Sequence, residues 1–271
     1  MISRDLTAKE ILRRYWRGYR LICALRWVGC IACIAWLAPH IWHGGSMVTA
    51  ALAFLLYLGY LFVLRLVNSL RFLSLNLILN RDCDAVKFTE VNQLLKKQLG
   101  TRTSGMAGLN VAWGLYWSGR FAEAEKAMTN VELNGKNPQS RLLLRNLDFN
   151  CRMERGDLTG ARHVRQETEA YIRNEKPGSA LRKTGERLLN IMDAAFAREE
   201  GDWETFRRLY ERMALGSTSE FQRVTAAFAL AKADMANGER ENARTRLAYV
   251  VERGSTLYIR EEARRLLAEM E

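Results

Sequence analysis

Apolar and polar positions follow two regimes along the chain. From residue 21 to residue 64 the sequence is almost continuously apolar, whereas from about residue 70 onward hydrophobic residues recur every three or four places among Arg, Glu, Lys and Ala. The first regime predicts helices that are apolar all round, and the second predicts amphipathic helices that bury one face. Residues 47–64 read MVTAALAFLLYLGYLFVL, without a charge. At about 1.5 Å per residue this makes a rod of roughly 27 Å, close to the hydrocarbon core of a bilayer at about 30 Å. The earlier stretch, residues 21–42, is comparable but contains Arg26, near enough to one end for its guanidinium to snorkel to head groups. Spans are therefore expected over about residues 21–42 and 47–67. Residues 40–46, HIWHGGS, carry turn-forming glycines and no Lys or Arg, so the two spans form an antiparallel hairpin within residues 21–69. The alternative is a pair of buried core helices, for which the rest of the chain offers little apolar surface.

Residues 1–20 predict an amphipathic juxtamembrane helix. Ile11, Leu12, Tyr15, Trp16 and Tyr19 share a face, and Thr7 with Glu10 makes a capping box. Such a helix is expected on the anionic inner leaflet; a plain extension of the first span is the other reading. Charge adds orientation. Of the net charge of +11, +6 falls within residues 1–69 and +5 in the remaining 202. Arg4, Lys9, Arg13, Arg14, Arg17, Arg20 and Arg26 precede or begin the first span, and Arg65 and Arg71 follow the second. The positive-inside rule then gives a multi-pass protein of the plasma (inner) membrane with both termini cytoplasmic. Trp36 and Trp42 suit the outer interface, Trp16 and Tyr19 the inner one. A cleaved signal peptide fits poorly, because residues 26–38 lack a polar cleavage region. The basic excess accompanies no nucleic-acid motif, so no nucleic-acid partner is expected. The cysteines are Cys23, Cys30, Cys33, Cys83 and Cys151. No paired spacing recurs after the apolar segments, Cys30 and Cys33 form a C-x-x-C read as two small apolar residues of a span rather than a redox pair, and all are read as free thiols.

The cytoplasmic part, residues 70–271, repeats itself. SGRFAEAEKAM, RGDLTGARHVR, EGDWETFRRLY and NGERENARTRL align on Gly119, Gly156, Gly201 and Gly238, with spacings of 37, 45 and 37. Residues 174–185, NEKPGSALRKTG, form an expected loop for the eight extra positions. Asp82 lies 37 residues before Gly119 and marks a partial first unit, whose first helix continues the second span from residue 65 to residue 80. Helical periodicity flanks each glycine, which is the residue that accepts a positive backbone angle where a helix ends. Five residues after it stand Ala124, Ala161, Phe206 and Ala243, and seven before it Ala112, Phe149, Ala194 and Ala231. Small residues at six of these eight places let paired helices approach closely. Residues 256–271 read as a terminal amphipathic helix that covers the last pair.

This grammar, best developed in residues 106–136 with AWGLYWSGRFAEAEKAM, resembles the tetratricopeptide repeat family over roughly residues 70–271. The unit spacing is longer than the family's usual period of about 34 residues, the helix-ending proline is absent, and the second and third units lack the usual aromatic before the turn. The resemblance implies an all-α fold in which the transmembrane hairpin is followed by a TPR-like α-solenoid, a right-handed superhelix with a concave face lined by the first helix of each pair. A generic helical bundle is the alternative. Carried over by distance from each glycine, the partner-binding candidates are Trp113, Tyr116 and Trp117, then Asn146, Asn150 and Met153, then Arg198 and Lys232. Aromatic side chains anchor a peptide and Asn bonds its backbone. The Lys and Asn set that grips a chaperone's terminal carboxylate is missing from the matching places, where Leu109 and Trp113 stand.

No catalytic constellation accompanies this architecture. His163 is the only histidine after residue 43, and no phosphate-loop, zinc-protease or nucleophile-elbow string occurs. Asp82, Cys83 and Asp84 read as a turn, with Asp84 capping the next helix. His40 and His43 read as interfacial residues rather than metal ligands. The chain is thus expected to be no enzyme and to hold no cofactor or metal. It is expected to be a membrane-anchored scaffold or adaptor that binds an unidentified protein or peptide at the cytoplasmic face. The alternative is a structural or assembly subunit whose hairpin contacts other spans, or forms an oligomer, through Gly29, Ala32 and Ala35.

Overall fold

A computed structural model describes residues 5–44, 46–99, 101–131 and 137–270. Arg4, Gly45, Glu271 and positions 132–136 of the best repeat unit lie outside the described residues. Among the described residues the chain is all-helical, with thirteen helices and no strand. It divides into two compact units, Met1–Leu77 and Ile78–Glu271.

The first unit is a hairpin of α1 (Ala8–Trp42) and α2 (Met47–Ser74). Both helices are long and apolar enough to cross a membrane, and only 6% of either apolar stretch is buried within the protein. The capping box forms: the Thr7 amide donates to Glu10 Oε2 at 2.9 Å, and the Glu10 amide donates to Thr7 Oγ1 at 3.4 Å. From there α1 runs unbroken, so the juxtamembrane segment and the first apolar stretch are one rod. Ile11, Leu12 and Tyr15 on its expected apolar face are buried, while Arg13, Arg14 and Arg17 are exposed. Two crossings fix the hairpin's register. The Tyr60 hydroxyl donates to the Leu25 carbonyl at 2.7 Å, and its ring occupies the space a side chain at Gly29 would need. Lower down, the Arg71 guanidinium lies over Gly18 and donates to the carbonyls of Arg14 at 3.1 Å and Tyr15 at 3.3 Å. Gly29 is therefore spent inside the hairpin, whereas Ala32 and Ala35 remain exposed. The second helix does not continue to residue 80. It closes at Ser74 with short-range bonds from Leu75 and Asn76 to Phe72 and Leu73, and α3 (Leu77–Asn80) is a separate turn.

The second unit continues with α4 (Ala85–Gln98), α5 (Thr101–Trp117), α6 (Phe121–Thr129), α7 (Pro138–Glu154) and α8 (Leu158–Arg173). Then follow α9 (Ala180–Glu199), α10 (Trp203–Leu215), α11 (Glu220–Ala236), α12 (Arg240–Arg253) and α13 (Tyr258–Ala268). From α4 onward each helix packs on the next, and α5 with α7, α7 with α9, and α11 with α13 also touch. The connections after α5, α7, α9 and α11 are built alike. Gly119, Gly156, Gly201 and Gly238 take φ of +80°, +72°, +76° and +76°. In each, the glycine amide bonds the carbonyl three residues back and the following amide bonds the carbonyl five back, at 2.8–3.1 Å. That double bond satisfies carbonyls that a helix end otherwise leaves open. After two of them the next helix is capped at once by a side chain, Asp157 on the Gly160 amide (2.9 Å) and Asp202 on the Thr205 amide (3.0 Å).

All eight positions singled out around these glycines are buried: Ala112, Ala124, Phe149, Ala161, Ala194, Phe206, Ala231 and Ala243. Alanine lets backbones close up at six of them. Phe149 and Phe206 instead fill the wider gaps, each burial contributing on the order of 2–3 kcal/mol. Two details differ from the sequence reading. The left-handed residue of the first turn is Cys83, with φ +52°, not Asp82; the turn is set by its distance from the capping Asp84, which accepts from the Lys87 amide at 3.0 Å. The extra residues between Gly156 and Gly201 only partly form a loop. Ser179 caps α9 and residues 180–185 are already helical, because ALRKTGERLL continues the apolar period of the helix.

Candidate functional site

The residues that converge in the second unit come from helices far apart in sequence. At the end of α5, Trp113, Tyr116 and Trp117 stand three and four residues apart, so their rings gather on one side. Trp113 and Trp117 stack at 6.4 Å, while Tyr116 is only 5% exposed. The ring that closes this group belongs to the last helix. Tyr258 stacks on Trp117 at 5.9 Å and meets Phe121 edge-on at 5.2 Å and Tyr116 at 6.1 Å. Phe221 of α11 meets Trp117 edge-on at 4.8 Å. Just before α13, the Thr256 hydroxyl donates to Asp84 Oδ1 at 3.0 Å and accepts from the Val86 amide at 3.1 Å. The last helix therefore returns to the beginning of α4 and the end of α5. Sequence reasoning placed it as a cover for the last pair alone; it also packs on the first helices of this unit.

Polar groups line the same interior. The Tyr116 hydroxyl donates to Glu154 Oε1 at 3.2 Å. Burial pushes the Tyr116 phenol well above its usual range, and the neighbouring Tyr258 and Glu154 add to it. Burial raises Tyr258 in the same direction, reinforced by Glu154. Both phenols are therefore neutral hydrogen-bond donors at ordinary pH. Tyr210, from α10, is raised by burial and opposed by Arg198. Arg198 itself loses some affinity for its proton through burial, but its bond to Glu199 at 2.6 Å, together with the charges of Glu199, Tyr210 and Glu154, more than restores it. On α11, Lys232 reaches Glu262 of α13 at 2.7 Å and lies 4.6 Å from the centre of the Phe228 ring.

Each sequence-derived candidate thus has a definite place. Tyr116 is buried; Trp113 and Trp117 are half-buried in the aromatic group. Asn146 is buried, and Asn150 and Met153 are half-buried on α7. Arg198 and Lys232 are half-buried and ion-paired. The structure brings Tyr116, Trp117 and Arg198 into one neighbourhood through Glu154, Tyr210 and Tyr258, none of which sequence reasoning named. The available signal for Glu154 was its place two residues before Gly156; for Tyr258 there was only a lone aromatic opening a helix rich in Arg and Glu. The Trp117 Nε1 donor and the Asn146 Oδ1 acceptor are buried without a hydrogen-bond partner among the described residues.

Other candidate chemistry resolves into local packing. Burial pushes the Cys151 thiol up to about 12, so it is protonated and unreactive at neutral pH. His163 is exposed beside Glu167 at 3.3 Å. His40 stacks on Trp36 at 5.0 Å and contacts Thr49 Oγ1 through Nε2. Among the described residues no group of three or more metal-ligating side chains assembles. No protein-family model, no curated protein and no solved structure matches the chain.

Proposed function

We propose that the chain is a membrane-anchored interaction scaffold without catalytic activity. In this reading the α1–α2 hairpin crosses the plasma (inner) membrane twice with both termini cytoplasmic. The second unit is a TPR-like solenoid that holds a protein or peptide partner. The observation that carries the reading is the pairing of two apolar helices that the protein itself leaves uncovered with an array of helix pairs built four times on the same glycine turn. A core helix of a soluble domain would be mostly buried, and a helix pair that cannot bury its own apolar face is stabilised by stacking on the next. Anchoring confines encounters to the membrane surface and raises effective concentration.

The partner-binding face is the interior that Asn150, Met153, Arg198 and Lys232 border. Trp113, Tyr116, Trp117 and Asn146 support it from beneath. A buried donor on Trp117 and a buried acceptor on Asn146 are complementary to a peptide backbone, which supplies one of each per residue. The experiment is site-specific photo-crosslinking of the full chain in native membranes, with the probe at Asn150 or Met153 and, as control, at exposed Arg173. The reading expects a discrete adduct from the first two positions that disappears when Arg198 and Lys232 are both replaced by Glu. Equal adducts from all three positions would discard the site. The assembly-subunit reading draws on the exposed Ala32 and Ala35; replacing the hairpin by an unrelated one abolishes function under that reading and leaves it intact under the scaffold reading.

A further inference from the structure

We infer that Arg20, Arg26 and Arg65 form a collar that binds the phosphate groups of anionic phospholipids. The inference rests on the membrane-spanning reading of the hairpin and names the lipid class that reading leaves open.

Many arginines of the second unit are ion-paired, and these three are not. There, Arg152 meets Asp148 and Asp157, Arg165 meets Asp193 and Glu169, and Arg207 and Arg246 share Asp234. Arg20, Arg26 and Arg65 are exposed, and no carboxylate partners any of them among the described residues. A guanidinium is weakly hydrated and matches a phosphate with two parallel N–H donors.

Register then places Arg26 and Arg65 at one depth, with Arg20 below them. Tyr60 sits against Gly29 and Arg71 against Gly18, so each step along one helix is matched by a step back along the other. Arg65 consequently stands opposite position 24, two residues, or about 3 Å of rise, from Arg26. Beyond Arg26 on one helix, and before Arg65 on the other, no charged side chain occurs within the hairpin. The charge-free segments of both helices therefore end at the same height. Arg20 lies six residues below Arg26, about 9 Å. A head-group layer is roughly 5–8 Å thick on each side, and the long Arg20 side chain spans the remainder. Arg13 and Arg14 lie roughly 18–20 Å below Arg26 and roughly 9–11 Å below Arg20, beyond that layer, whereas Arg17 lies only about 4.5 Å below Arg20. Exposed Leu21, Trp27 and Leu66 flank the collar, an apolar setting that suits an acyl chain attached to the phosphate and gives a soluble anion nothing. A zwitterionic lipid neutralises its own phosphate, so the uncompensated collar favours lipids with net negative charge.

The test measures lipid selectivity of the full chain in phosphatidylcholine vesicles by electron paramagnetic resonance, comparing motionally restricted spin-labelled phosphatidylglycerol with spin-labelled phosphatidylcholine. Each arginine near the surface contributes roughly a fivefold preference, so several-fold selectivity for phosphatidylglycerol is expected. It should fall close to unity in Arg20→Gln/Arg26→Gln/Arg65→Gln and persist in Arg13→Gln/Arg14→Gln. Unchanged selectivity in the first variant, or its loss in the second alone, overturns the collar. Displacement of the labelled lipid by inorganic phosphate at matched ionic strength would reassign the site to a soluble anion and likewise overturn it. Restriction of both labels without selectivity rejects the collar and leaves the anchor standing. Restriction of neither label, with release of the protein by alkaline carbonate, rejects the anchor and the collar together.

Discussion

Alanine at each turn glycine separates two contributions that the structure predicts to differ. At Gly156, Gly201 and Gly238 an added methyl would meet no atom within 4 Å, so its cost is conformational alone. Holding a residue with a side chain in the left-handed region costs about 1–2 kcal/mol. The stiffer unfolded chain offsets about 0.4–1 kcal/mol of that. A net destabilisation of about 1 kcal/mol is expected, or about 2–4 °C in melting temperature for a unit of this size. Gly119 is different. There the methyl would stand 3.1 Å from Tyr258 Cβ, closer than unstrained carbons pack, and overpacking adds about 1 kcal/mol or more. Gly119→Ala should therefore lose about twice as much as the other three, and Gly119→Ala combined with Tyr258→Gly, which removes the contacting Cβ, should lose less than the two single changes summed. Thermal melts followed by far-ultraviolet circular dichroism measure all of these. Four equal losses, or strict additivity in the double variant, would refute the seating of the last helix on the first turn. Four silent substitutions would refute the left-handed turns themselves.

Further predictions follow from the interior and its supports. Because Tyr116 and Tyr258 hold their protons more tightly folded than unfolded, their contribution is complete below the unfolded value of about 10 and is lost as pH rises above it. Alkaline denaturation should shift to higher pH in Tyr116→Phe, read from chemical denaturation midpoints across that range. Asp84→Ala removes both the cap on Lys87 and the acceptor for Thr256 and should cost about 1–2 kcal/mol by equilibrium unfolding. Asp234, whose carboxylate is almost fully buried between Arg207 and Arg246, should cost about 2 kcal/mol on change to Ala; both arginines keep partial access to water, which moderates the loss below that of a fully buried pair. Asp234→Asn should recover part of it.

The local grammar of the chain was legible, and its long-range closure was not. Glycine at the turns and small residues at fixed distances from them follow from steric rules that act over a few residues, and all eight flanking positions lie in the core. The two apolar stretches are equally plain, since eighteen charge-free residues leave few alternatives. Cys83 escaped notice because only the backbone shows its positive φ; the sequence offered an Asp at the expected spacing instead. Tyr258 escaped for another reason. Its contacts with Trp117, Phe121 and Tyr116 join helices far apart in sequence, and no neighbouring residue encodes them. Tyr210 and the exposed Glu154 meet this group from other helices in the same way. Helical spacing alone brings Trp113, Tyr116 and Trp117 together, but which side of them is covered by the chain's own last helix was outside what spacing carries.

The account stands on the hairpin crossing the bilayer, and topology labelling in intact cells tests that most directly. A single cysteine at Gly44 and, separately, one at Met270, each in a chain whose native cysteines are replaced by Ala, would be exposed to a membrane-impermeant thiol reagent before and after lysis. The account predicts labelling at position 44 in intact cells and at position 270 only after lysis. Labelling of both positions only after lysis, or of position 270 in intact cells, would contradict it.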